Sequence, residues 1–168
     1  MIVGDKDKFA IEYQIDEKID SWILGRIRFW LRGDAVGNWD DAADLMGCMN
    51  WLRDFVENPR DRSEPSLSGR SQDEVFHLLT AHLRHSEAVS EAEDAIRNTF
   101  SRFNISHLGM SSFDRYDIVL WNDITNNERC MWRLGDDGSI HEAVLPPGEM
   151  ERVARAFCDH LEAELRKD

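Results

Sequence analysis

The sequence predicts an α+β fold: a largely antiparallel sheet of about five to six strands, with helices packed mainly on one face and a C-terminal helix. Three observations predict it. The first third alternates apolar and polar residues with a period of two, the middle shifts to helical spacing, and the last third returns to short β-rich runs before a final amphipathic stretch. The strand runs are joined by turns bearing Gly and Asn, so neighbours in sequence pair antiparallel as meanders. At 168 residues the chain has the length of one ordinary domain, and 1–168 is read as a single domain.

The elements follow in order. Phe9, Ile11, Tyr13 and Ile15 alternate with Ala10, Glu12, Gln14 and Asp16, which makes a strand with one buried face. "SWILGRIRFWLRG" repeats the pattern, with Ile23, Ile27, Phe29 and Leu31 on one face and Trp22, Arg26, Arg28 and Trp30 on the other. "GDAVGN" has room for a short third strand between its glycines. From about residue 40 to 57, Leu45, Met49, Leu52 and Val56 form one helical stripe, with Asp40, Asp41 and Asp44 near the start, where the helix dipole favours negative charge. Asn58-Pro59 ends that helix. "NPRDRSEPSLSGR" then supplies Pro, Ser and Gly with almost nothing apolar, and 58–70 reads as a mobile loop.

"SQDE" at Ser71 to Glu74 fits a capping box, in which the Ser oxygen and the Glu carboxylate each satisfy an orphan backbone N–H ahead of Val75, Phe76, Leu78, Leu79 and Leu83. Ser90 to Glu93 repeats the S-x-x-E pattern before Ile96, Phe100 and Phe103, which predicts a third helix or a continuation of the second after a break near Ser86. "RYDIVLWND", "ERCMWRL" and "SIHEAVL" are three antiparallel strands separated by the turn sequences "ITNN" and "GDDG". In "PPGEMERVARAFCDHLEAELRKD", Pro opens a helix and basic residues close it, and Met150, Val153, Ala154, Phe157, Leu161 and Leu165 form its apolar stripe.

Thirty-three Asp and Glu against twenty Lys and Arg give a formal charge of -13, which repels phosphates and anionic lipids and favours a basic partner. Nucleic acid and membrane are therefore not expected as partners. No apolar run approaches the ~20 residues of a membrane span. Charged Asp5, Lys6 and Lys8 arrive at once in place of a leader, so the chain reads as an uncleaved cytoplasmic protein. Cys48, Cys130 and Cys158 are odd in number and lack CxxC spacing, which argues for free thiols packed as small hydrophobes and against a disulfide framework or a zinc site.

The search for chemistry yields little. A phosphate loop follows a strand and opens a helix, whereas "GDKDKFAI" has one glycine and leads into a strand. His82 and His85, three apart, share a helix face near His77, but a metal would need a third ligand from elsewhere, and there is no HExxH or paired-Cys motif. Histidines at the solvated edge of an amphipathic helix are the simpler reading. There is no GxSxG elbow, and the acidic pairs Asp40-Asp41 and Asp136-Asp137 have structural uses at a helix start and in a hairpin turn. No cofactor, metal ligand or catalytic residue is assigned and the chain is not read as an enzyme. The alternative is a small hydrolase or metal-dependent enzyme using His82, His85 and carboxylates. Among the six tryptophans, Trp30, flanked on its strand face by Arg28 and Arg32, is the one expected to be exposed.

The opening "MIVGDKDKFAIEY", then "GRIRFWLRGDAVGN" and "FDRYDIVLWND", "ERCMWRL" and "IHEAVLPPGEMERVARAF", resemble the immunity protein 42 family of bacterial polymorphic toxin systems. Met1, Ile2, Gly4, Phe9, Ala10 and Ile11 match the start of that family, and Gly33 and Gly37 match its second hairpin. The resemblance implies a single immunity-type domain that binds and neutralises a cognate protein toxin, the C-terminal toxin domain of a larger secreted protein, as in contact-dependent growth inhibition. Many such toxins are nucleases with basic grooves, which would give the acidity a purpose. The contact surface is then expected at Asp34, Asp40, Asp41, Asp136 and Asp137, in exposed turns, together with Trp30. The family carries no catalytic residues to transfer, and Gly4-Asp5 becomes a structural entry into the first strand.

Overall fold

The alternating first third forms an antiparallel sheet of β1 (Ile2–Gly4), β2 (Phe9–Ile19), β3 (Trp22–Leu31), β4 (Asp34–Val36) and β5 (Ala43–Asp44), in which β4 and β5 both pair with β3. The structure is a computed structural model that describes residues 1–20, 22–81, 100–106, 111–136 and 138–167. Its chain divides into two compact units. The first comprises Met1–Pro59, His107–Arg115 and Gly148–Asp168, and the second Arg60–Ser106 and Tyr116–Pro147.

In the first unit, β2 lies against β3 with Phe9 opposite Leu31, Ile11 opposite Phe29 and Tyr13 opposite Ile27, so these side chains share one face and all are buried. Helices α1 (Leu45–Glu57) and α3 (Glu149–Leu165) pack on the sheet and on each other. The Tyr13 ring meets Phe157 edge-on, with 5.1 Å between centroids. The register shifts by one residue between Ile15 and Glu17. A bulge of one residue exchanges the faces beyond it. Lys18 therefore turns toward α3 and donates to the Glu164 carbonyl at 2.9 Å, while Ile19 joins Trp22 on the outer face, where both are exposed.

Helix α1 begins later than its apolar pattern predicts. Ala43 and Asp44 pair with Gly25 and Leu24 of β3, which holds the chain extended, and Asp44 becomes the N-cap by accepting from the Met46 N–H at 3.0 Å. Asp40 and Asp41 thus lie in the preceding turn and not in the first helical turn. The buried face is Leu45, Cys48, Met49, Leu52 and Phe55, with Val56 at its margin. Gly25 has a reason to be glycine: an added Cβ would meet the Gln14 carbonyl on one side and Leu45 Cδ1 at 2.8 Å on the other.

In the second unit, β6 (Tyr116–Asn122), β7 (Glu128–Leu134) and β8 (His141–Leu145) form a three-stranded antiparallel sheet in that order. The class is α+β as the sequence predicts, with the strands shared between two sheets because each hairpin-linked group closes its own ladder. The capping box at Ser71 and Glu74 opens α2 (Gln72–Thr80), and Val75, Phe76, Leu78 and Leu79 pack with Leu67, Phe103, Val119, Trp121 and Met131. Segment 58–70 is irregular apart from a 3-10 turn at Pro65–Leu67. It is anchored by buried Leu67 and Arg62, by the Arg62 carbonyl accepting from the Asn122 N–H, and by Arg102 on Glu64. The second half of the helical pattern, 82–99 with its cap at Ser90, lies outside the described residues, and Phe100–Arg102 is a 3-10 turn.

All three cysteines are free and buried. Burial pushes the Cys48 and Cys130 thiols well up and Cys158 to about 11, so each packs as a neutral apolar group. No described helix is long and apolar enough to cross a membrane.

The opening glycine is a backbone requirement. Gly4 has φ +100, and a Cβ there would run into the Phe9 carbonyl and stand 3.0 Å from Val153 of α3. Gly4→Val should cost about 2 kcal/mol or more. Gly33→Ala, at φ +88 in open space, should cost only about 1 kcal/mol. Urea unfolding of the two variants checks this, and equal midpoints would refute it.

Candidate functional site

Three donors converge on one carboxylate on the outer face of β2 and β3. Glu12 stands opposite Arg28, and its Oε2 accepts from Arg28 Nε at 2.8 Å and Trp30 Nε1 at 2.7 Å, with Lys6 Nζ 3.7 Å away. The Lys6 ammonium lies 3.7 Å from the Trp30 ring centroid, and the Arg28 guanidinium stands between Trp30 at 4.8 Å and Trp39 at 4.7 Å. Alternation along β3 produces this row, since Arg26, Arg28 and Trp30 occupy every second position while Ile27, Phe29 and Leu31 face the core. Burial raises the Glu12 carboxyl, but hydrogen bonds from Arg28 and Trp30 and the charges of Arg28 and Lys6 outweigh it and hold the group below the usual carboxylate range.

The six residues expected at a contact surface fall as follows. Trp30 is half-buried under Lys6 and Arg28, and Trp22, 56% exposed at the end of the hairpin, is the more open ring. Asp34 is exposed at the start of β4. Asp40 is exposed and 4.0 Å from Arg26, which also binds Asp16 at 3.2 Å, so Asp40 is drawn to the outer face that carries Trp30. Asp41 is half-buried, and its N–H donates to the Asn38 carbonyl. Asp136, in the second unit, is exposed and 3.8 Å from Arg133. Asp137, His82 and His85 lie outside the described residues. Among the described residues, no group of three or more His, Cys, Asp and Glu is placed to hold a metal ion.

Two exposed apolar sites escape sequence reasoning. Ile19 beside Trp22 depends on the bulge, which no local pattern announces. Ile124, 76% exposed, had a visible signal: a β-branched apolar residue at the head of the turn sequence "ITNN". Beside it, Arg129 grips both oxygens of Glu142 at 2.8 and 2.7 Å and lies over the Trp121 ring.

Fold and surface together define a class: a small α+β protein of antiparallel sheets that presents tryptophan–arginine clusters, the residue types in which protein interfaces are enriched. Residues 1–160 match the family described as Immunity protein 42. The chain belongs to that family, and its role is the immunity half of a toxin–immunity pair. In fold it is similar to the crystal structure of CdiI from Burkholderia dolosa AUO158, with a TM-score of 0.73 at 17% identity over 97% of this chain and 99% of that one. No curated protein matches it significantly.

The lowered Glu12 value sets a pH dependence. Its stabilising contribution is present above the ordinary carboxylate range and is lost as pH falls through the lowered folded value. Glu12→Ala should cost about 1–2 kcal/mol at neutral pH, and the deficit should shrink below about pH 4. Urea unfolding at the two pH values measures it; a deficit independent of pH would remove the carboxylate charge from the account.

Proposed function

We propose that the protein acts in the cytoplasm by binding and neutralising its cognate toxin, the C-terminal toxin domain of a larger secreted protein. We propose further that this toxin is a nuclease, met through an acidic surface that includes Asp34, Asp40, Asp41, Asp136 and Asp137, with Trp30 beside it. Membership of the immunity protein 42 family over residues 1–160 carries the reading. The finer part rests on the formal charge of -13. A nuclease groove gathers cations to hold phosphates, so an acidic inhibitor is steered into it and the encounter rate rises. The same charge disfavours nucleic acid and anionic membrane as partners. Inhibition by occupancy needs neither turnover nor a cofactor.

The unit that does this is, in our reading, one immunity-type domain over 1–168. The chain passes between the two compact units after Pro59, Ser106, Arg115 and Pro147. Neither unit is a continuous segment, and the four passages of the chain between them favour unfolding of the two together. Near- and far-ultraviolet dichroism should therefore report one coincident thermal transition, and two separated transitions would overturn the single domain.

The functional test is co-expression with the toxin domain encoded by the gene immediately upstream, followed by calorimetry of the purified pair at two salt concentrations. Growth should be restored and binding should be one to one, with affinity falling about tenfold or more between about 0.05 and 0.5 M salt. Salt-independent binding would refute the acidic surface, and absence of binding would refute the immunity reading for this pair.

A further inference from the structure

The second unit holds a cavity of about 210 Å3 between the turn that leads into α2 and the β6–β7 hairpin. Its floor is apolar: Leu67, Val75, Trp121 and Met131, all buried. At that volume it lies below the roughly 300–1,000 Å3 of small-molecule sites. It exceeds the roughly 150 Å3 apolar cavity that takes a benzene ring. One large side chain fits; a nucleotide does not.

The two carboxylates of the rim are already satisfied. Both Glu142 oxygens are engaged by Arg129, and Asp123 Oδ1 accepts from the Thr125 N–H, the Thr125 hydroxyl and the Asn127 N–H at 2.8, 2.6 and 3.1 Å. One polar group is left over. Trp121 is 3% exposed, and its indole Nε1 is buried with no acceptor among the described residues. Such a donor costs about 1–3 kcal/mol until it finds one.

The mouth is open, and one apolar side chain stands at it among polar neighbours. Ile124 forms part of the lining and, at 76%, is the most exposed large apolar side chain among the described residues, in a turn whose other members are polar. Val144, 45% exposed on β8, the outer strand, stands opposite Arg129. An isoleucine left in water at the lip of a side-chain-sized hole, with tryptophan and arginine beside it, has the composition of an interface hot spot.

We infer that the toxin inserts one large apolar side chain into this cavity, past Ile124, and that an oxygen beside that side chain accepts from Trp121 Nε1 after a small shift of the ring. The inference rests on the immunity reading and divides the labour of binding. Acidic turns set the encounter rate, and the pocket sets the residence time.

The test compares Ile124→Ser, which leaves net charge unchanged at an exposed position, and Ser68→Trp, which places an indole at the cavity from an exposed residue that lines it. Each is titrated against the toxin domain encoded immediately upstream, with melting temperature recorded and the Trp121 indole N–H followed by NMR. Each variant should dissociate roughly tenfold faster or more, with association and melting temperature nearly unchanged, and the Trp121 signal should shift when the unaltered complex forms. If the unaltered chain binds while both variants dissociate at its rate, the pocket inference falls and the immunity reading stands. If the unaltered chain does not bind, both fall. A chain that dimerises, and whose dimer is lost in Ile124→Ser, would give the cavity to a second copy and overturn the inference.

Discussion

The register of β2 on β3 governs the first unit. With Tyr13 opposite Ile27 and Glu12 opposite Arg28, one choice of pairing sends Phe9, Ile11, Tyr13, Ile27, Phe29 and Leu31 into the core and gathers Glu12, Arg26, Arg28 and Trp30 on the other face. A slip of β2 by one residue would bring Glu12 into the core and expose Phe9 and Ile11, an exchange no helix packing could offset. The shift beside Asp16 shows the same rule at work within the strand. Past it the faces are exchanged, so a lysine reaches the end of α3 and an isoleucine reaches water. Gly4 and Gly25 serve that register, since each lets a neighbouring backbone or helix approach where a side chain would block it.

What the sequence made legible was whatever repeats with a period. Alternation places Ile23 through Leu31 correctly on the two faces of β3, the S-x-x-E box places the start of α2, and the stripe from Met150 to Leu161 gives the buried side of α3. Non-local pairing was not legible. Nothing near Asp40 signals that Ala43 and Asp44 pair with β3 and delay the helix, and nothing in three β-rich runs tells whether they extend the first sheet or close a second. The surface was legible in composition and less so in detail. Net charge is a sum over the chain, but the partner that each exposed aspartate finds depends on the fold, as Arg26 beside Asp40 and Arg133 beside Asp136 show. The cavity at Trp121 is assembled from two segments, 67–75 and 121–142, far apart in sequence, and only Ile124 leaves a local trace.

In the proposed reading the chain has two physical devices for recognition. One is diffuse: an excess of carboxylates whose field extends about a Debye length from the surface and weakens with salt. The other is local: a side-chain-sized hole with an unsatisfied indole donor, hardly sensitive to salt and strict about shape. A field discriminates poorly among basic partners, because any cationic groove answers it. Shape at a pocket discriminates well, since a side chain too large or too polar leaves contacts unmade.

The interleaving of the two compact units bears on how such a gene can change. Because the chain enters and leaves each unit more than once, a single recombination crossover between two relatives always splits the first unit, and one that falls between residues 60 and 147 splits both. A change of specificity by trading one unit needs several crossovers in the same event. The economical routes are point substitution at surface positions and transfer of the gene as a whole, so inheritance of the gene entire is written into the path of its chain.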